Sequence, residues 1–217
     1  MTKTEDQRPK TRHEVAAILL AAGQSRRMGA FKPLLSFGQT TVIRSCINNL
    51  RAGGVQEIVV VLGQRAAEVE ASLTDLDHLH IALNPDPDSE MSASIACGVE
   101  RLPPAAGAAL IALTDQPAIP AEVIRTLISE WQSGANLVIP QFEGRGGHPA
   151  LVDLSFRNEL LRLDPHRGLR SLFAANEDQV KRVNVNTPYI ARDIDTWDDY
   201  RALHQDVFGT PPEDMGC

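Results

Sequence analysis

The sequence has few cysteines, no long apolar run and no excess of positive charge, and each shortage removes a class of protein. The three cysteines, Cys46, Cys97 and Cys217, are odd in number and far apart, with no CxxC pair and no Cys/His ligand spacing. Neither a zinc site nor a disulfide framework is indicated, and a reducing compartment is the simplest setting. No stretch approaches the ~20 apolar residues of a membrane span. Residues 1–13 are polar and mixed in charge, unlike a signal peptide. A soluble, cytoplasmic protein without a membrane partner is expected. The formal charge of −7 argues against a nucleic-acid partner, which normally requires a broad basic surface. A few local cations and backbone N–H groups still suffice to hold a triphosphate. Repeats and low-complexity segments are also missing.

What remains is an ordinary globular balance, 43% hydrophobic and 23% charged over 217 residues, enough for one α/β domain. Apolar runs at Val15–Leu20, Glu57–Leu62 and Ala108–Leu113 are continuous rather than alternating, as for strands buried on both faces. Shorter strands are expected at His80–Leu83 and Asn136–Ile139. Helices are expected from a Thr40 or Thr41 cap to Ala52, at Ala66–Leu73, Ser92–Glu100 and Ala121–Trp131, and from Thr196 to His204. The alternation predicts a parallel sheet wrapped by helices. A disordered leader is expected over 1–13, one domain over 14–206, and a tail over 207–217.

The most informative stretch runs from Leu20-Ala21-Ala22-Gly23 through Ser25, Arg26, Arg27, Met28 and Gly29 to Lys32. Small residues at the end of the first strand let backbone N–H groups approach an anion, and the basic residues neutralise it. Ligands of open α/β sheets bind beyond the carboxyl ends of the strands, where this loop lies. The spacing fits neither a Walker A loop nor GxGxxG. Asp115, in Thr114-Asp115-Gln116-Pro117, ends another buried strand, which suits either a Mg²⁺ ligand or a helix cap before Pro117.

The stretch from Leu20 to Lys32 resembles the signature of the molybdenum-cofactor cytidylyltransferase-like family. Later motifs follow in the family's order, so the resemblance spans roughly residues 15–204. It implies a single-domain three-layer α/β/α sandwich with a mostly parallel, mixed sheet, a Rossmann-like nucleotidyltransferase fold of the glycosyltransferase-A type. Within the family Leu-Ala-Ala-Gly goes with CTP and Leu-Ala-Gly-Gly with GTP. The resemblance makes Leu20, Ala21, Ala22, Gly23, Lys32, Asn84 and Ser94 nucleotide-binding, the last two through the segment Asn84-Pro85 to Gly98. It makes Asp115 the principal metal ligand, with Asp193 or Asp195 of Asp193-Ile194-Asp195-Thr196 completing the Mg²⁺ shell; Asp195 or Thr196 also suits a helix cap. Gly147, His148 and Arg170 are assigned to the acceptor. His148 suits donation to an acceptor phosphate or a structural role. Asp164-Pro165-His166-Arg167 departs from the family's Gly-Asp-x-Gly-Ala-Arg run, which leaves the acceptor open.

The implied reaction is attack of an acceptor phosphate, molybdopterin first among acceptors, on the α-phosphorus of CTP with loss of pyrophosphate. Lys32, Arg27 and Asp115 carry the catalysis, with a molybdoenzyme as a further partner. Other acceptors, such as sugar phosphates or methylerythritol phosphate, and a non-catalytic assembly factor are the alternatives. A dinucleotide-binding oxidoreductase is disfavoured by the missing GxGxxG.

Overall fold

Residues 15 to 21 are all buried because successive side chains of an extended chain point to opposite faces and both faces are covered. In the computed structural model, which describes residues 14–24 and 27–212, they form β1 (Glu14–Ala21). The chain continues through β2 (Ser36–Phe37), β3 (Thr40–Thr41), α1 (Val42–Ala52), β4 (Ile58–Leu62), α2 (Ala66–Ser72), β5 (Leu79–Leu83), α3 (Met91–Glu100) and β6 (Ala106–Leu113). Then come α4 (Ala121–Gln132), β7 (Leu137–Phe142), β8 (Arg145–Gly146), β9 (Ala150–Asp153), α5 (Arg157–Leu160), α6 (Leu169–Ala175), β10 (Val180–Asn184) and α7 (Trp197–Phe208).

Among the described residues the main sheet runs β10-β7-β9-β6-β1-β4-β5, with β8 paired to β7. The pairs around β1 are parallel, whereas β9 runs antiparallel to both its neighbours. Val15, Ala17 and Leu19 meet α1, α2 and α4 on one face, and Ala16, Ile18 and Leu20 meet α3, α5 and α6 on the other. The sheet is therefore mixed, mostly parallel and sandwiched between two helical layers, as expected.

Local chemistry sets the ends of α1. The Thr41 hydroxyl accepts the Arg44 N–H, satisfying a donor that the first turn leaves orphaned, and Gly53 closes the helix. The helix after β5 starts at Met91 behind Glu90, whose side chain makes no cap, so the serines following it are free of that task. The last helix runs four residues beyond the expected His204, to Phe208, which packs edge-on against Phe37. The expected leader 1–13, Ser25 and Arg26 lie outside the described residues. No helix among those described is long and apolar enough to cross a membrane.

A third, smaller core joins Met28, Leu35 and Phe37 to Ile194, Tyr200 and Leu203. It clamps the segment after β1 against the segment before α7, which are some 165 residues apart in the chain. The Tyr200 hydroxyl reinforces this by donating to Ser36 O.

Candidate active site

The strand order reverses beside β1, because β4 and β5 lie on one side and β6 on the other. Such a reversal leaves a crevice between the carboxyl ends of the two diverging strands. Thr114 ties those ends together, donating to Leu20 O from its N–H (3.1 Å) and its hydroxyl (2.7 Å). The crevice is a cavity of about 240 Å³ whose lining includes Leu20, Ala21, Ala22, Gly23, Lys32, Asn84, Ser94 and Asp115. Every residue expected to bind nucleotide thus lines one cavity. A Cβ on Gly23 would meet nothing within 4 Å, so the fold itself does not require a glycine there.

Asn84 lines the cavity but has its amide engaged. It is 5% exposed, donates to the hydroxyls of Ser89 and Ser94 at 2.8 Å each, and accepts from Asp86 N. Its role is to hold the turn 84–89 against α3 while presenting Ser94. Gln24, in the loop after β1, fastens the same turn by donating to Pro87 O. Gly98, in the same expected segment, faces away from the cavity: its Cβ would sit 2.4 Å from Ile18 Cγ2, so it is glycine to let α3 lie on β1.

The turn bearing Asp115 is fixed at nearly every carbonyl. Ser45 Oγ and Asn49 Nδ2 of α1 both donate to Pro117 O, at 3.0 and 2.9 Å, and Cys46 Sγ donates to Thr114 O at 3.5 Å. Burial pushes the Cys46 thiol far above its usual range, so it remains a donor. Asp115 O accepts from Ile194 N at 2.9 Å, which brings the Asp193–Asp195 segment to the strand end. Asp115 caps no helix, since α4 begins six residues later at Ala121.

The two acids of Asp193-Ile194-Asp195 part company. Asp195 binds Lys32 Nζ at 3.0 Å and Arg27 at 2.7 Å, so it is the counter-ion of the two cations expected to meet phosphate. Thr196, not Asp195, caps α7, through a reciprocal capping box with Asp199. Asp193 instead accepts a 2.7 Å hydrogen bond from Gln116 and acts on Asp115. Burial, and next the charge of Asp193, raise the Asp115 carboxyl from 3.8 to about 6, against the opposing pull of Lys32.

Asp115 Oδ1 is buried without a hydrogen-bond partner among the described residues. A buried, unpartnered carboxylate oxygen next to a second carboxylate is a donor set that suits a hard cation. Among the described residues no three His, Cys, Asp or Glu side chains cluster as a complete cation site. An ion held here would therefore take further oxygens from a bound nucleotide.

On the acceptor side, His148 Nδ1 donates to Ile111 O at 3.3 Å. Burial holds this histidine below its usual range, so it is neutral and its Nε2 can only accept. The expected donation to an acceptor phosphate is not available from that state. Arg170, exposed on α6, lies near enough to push the histidine down further, and Asp193 to pull it back up. Gly147 has a packing role: its Cβ would fall 2.1 Å from Ile190 O, and the next residue donates to the same oxygen at 2.7 Å. Gly147→Ala should therefore destabilise the protein by about 2–4 kcal/mol, combining overpacking with a weakened hydrogen bond. Urea unfolding checks this, and an unchanged midpoint would show that the two segments part easily.

Sequence reasoning missed Gln116 as a partner of Asp193, and the α1 side chains that hold its turn. The only signal for the latter was the polar trio Ser45, Cys46 and Asn49 within a helix whose other inward positions are apolar.

A family model described as the MobA-like NTP transferase domain matches residues 17–181. Among curated proteins the chain is similar to the molybdenum cofactor cytidylyltransferase of Escherichia coli strain K12, with 27% identity over 86% of this chain and 93% of that protein. It is equally similar to nicotine blue oxidoreductase of Paenarthrobacter nicotinovorans, with 28% identity over 87% and 96%. Among solved structures, Rv0371c of Mycobacterium tuberculosis H37Rv matches with a TM-score of 0.81 at 28% identity, covering 90% of this chain and 99% of that one. A structure of that mycobacterial protein in complex with manganese matches with a TM-score of 0.76 at 26% identity, covering 90% and 100%. The match over three quarters of the chain, on the fold and cavity described, establishes that this chain belongs to the MobA-like NTP transferase family.

Proposed function

We propose that the protein is a cytoplasmic, Mg²⁺-dependent cytidylyltransferase that moves CMP from CTP to a phosphorylated acceptor, molybdopterin first among them. The observation that carries this reading is the convergence of Lys32 and Asp115 on one cavity lined by the small residues Ala21, Ala22 and Gly23, with the charge of Asp193 acting on Asp115 from beside it. The E. coli relative supports the choice of nucleotide and acceptor; in this reading the methyl of Ala22, which lines the cavity, disfavours a purine. Gly63 approaches the Ala22 backbone so closely that a Cβ there would lie 2.8 Å from its carbonyl oxygen, so any larger residue would displace Ala22.

In this reading the acceptor phosphate oxygen bonds to the α-phosphorus as the bond to the β-phosphate breaks and pyrophosphate leaves. A phosphate monoester is largely ionised at neutral pH, with a second pKa of about 6, so no general base is needed. Asp115 and Asp193 would hold the magnesium ion, which supplies charge neutralisation on the phosphates when bound. Lys32 and Arg27 exchange Asp195 for the triphosphate and stabilise charge on the leaving group. Backbone N–H groups at 22–23 receive the terminal phosphates. Arg170 offers its charge to the acceptor, and a client molybdoenzyme would take the product.

The test is to incubate the protein with each nucleoside triphosphate, Mg²⁺ and molybdopterin and to measure pyrophosphate. The fastest release is expected with CTP, and equal initial rates with CTP and GTP would remove the cytidine assignment. The likeness to nicotine blue oxidoreductase favours a second reading, reduction of a ligand on the same scaffold. Consumption of NADH or NADPH without pyrophosphate release would establish that one instead.

A further inference from the structure

Gln116 directly follows Asp115 and is almost fully buried, with 4% exposure. Its backbone N–H closes the strand end by donating to Leu113 O at 3.3 Å. Its side chain reaches across to the segment before α7 and donates from Nε2 to Asp193 Oδ1 at 2.7 Å, a contact between residues 77 positions apart. The orientation of the amide is dictated, because a carboxylate can only accept. The opposite end, Oε1, is buried without a hydrogen-bond partner among the described residues. Leaving a buried acceptor unpaired in order to aim a donor at one carboxylate is the pattern of a residue kept for what it positions.

We propose that Gln116 is a positioning residue that fixes the Asp193 carboxylate beside Asp115, so that both acidic arms face the same divalent cation. The proposal rests on the metal reading of Asp115 and Asp193 given above. The physical case has two parts. Two neighbouring carboxylates repel, and Asp193 is exposed, so its side chain can turn toward solvent although the backbone beside it is anchored at Ile194. The Gln116 N–H offsets that tendency with a neutral donor, which leaves the second Asp193 oxygen for the ion and adds no competing positive charge. A lysine at this position would occupy the site that the cation needs, and a glutamate would add a third negative charge.

The experiment measures Mn²⁺ binding by the EPR signal of the free ion, with CTP present and absent, in wild type and in Gln116→Leu. Residues that hydrogen-bond to metal ligands typically contribute about 10–100-fold to metal affinity. The leucine variant should therefore bind Mn²⁺ about 10–100-fold more weakly in the presence of CTP, while binding CTP in EDTA as wild type does. Gln116→Met, unbranched and flexible, replaces it if the leucine variant does not fold. A folded variant with the Mn²⁺ affinity of a metal-binding wild type would overturn the proposal alone. A wild type that binds no Mn²⁺ with CTP present would overturn the metal reading and the proposal with it.

Discussion

Asp115→Asn is expected to lower turnover by at least about 10²–10³-fold, the loss usual for a preorganised charge-stabilising group, while making the ligand-free protein more stable. The carboxyl is raised from 3.8 to about 6, chiefly by burial and then by Asp193. The folded state therefore holds this proton more tightly than the unfolded state does. The stabilisation that goes with a bound proton is fully present below about pH 4 and is lost as pH rises through about 6. Above that the native protein carries an unfavourable buried charge, at most about 3 kcal/mol. Asparagine is nearly isosteric and cannot ionise. Its advantage should be absent below pH 4, should develop between pH 4 and 6, and should reach about 1–3 kcal/mol at pH 7.5. Urea midpoints across that range, measured without metal, check the stability half; pyrophosphate release at limiting Mg²⁺ checks the other. Wild-type turnover in the folded variant would end the metal assignment. A pH-independent stability difference would mean that the Asp115 carboxylate is solvated.

Lys32→Ala is the second change with a large expected effect, a fall in turnover of about 10²–10³-fold with a smaller loss of nucleotide affinity. The reason for the split is that charge on the departing phosphate grows toward the transition state, so a fixed cation matters more there than in the bound ground state. The Lys32 side chain is 12% exposed and lies 3.0 Å from Asp195, and it lines the cavity. It is held at the start of the short turn Lys32–Leu34 by the small third core. Folding should survive, because Asp195 is partly exposed and keeps Arg27 as a partner, and pairs of this kind contribute only about 0–1 kcal/mol. A further signature follows from the electrostatics. Lys32 draws the Asp115 carboxyl down, so its removal should move the acidic limb of the kcat/KM profile to higher pH. Near-normal turnover would remove Lys32 from the catalytic reading.

The strands β1, β4 and β6 were legible in the sequence because burial on both faces writes a continuous apolar run. The ends of α1 were legible because Thr41 and Gly53 do their capping locally. The loop from Leu20 to Lys32 and Asp115 were legible as motifs, since each sits at the end of such a strand. By contrast β9 was not, because Ala150–Asp153 is only four residues long and its antiparallel pairing depends on β6 and β7. The division of labour between Asp193 and Asp195 was equally hidden: two acids one residue apart look alike in a sequence. Tertiary structure separates them, since the third core docks Ile194 and points its two neighbours opposite ways, Asp195 toward Lys32 and Arg27, Asp193 toward Gln116. The sequence alone determined which residues carry charge and where the central strands β1, β4 and β6 end. Which charge meets which was decided by sheet order and by the packing of distant segments, because a side-chain pairing 77 or 163 residues apart leaves no periodic trace in the chain.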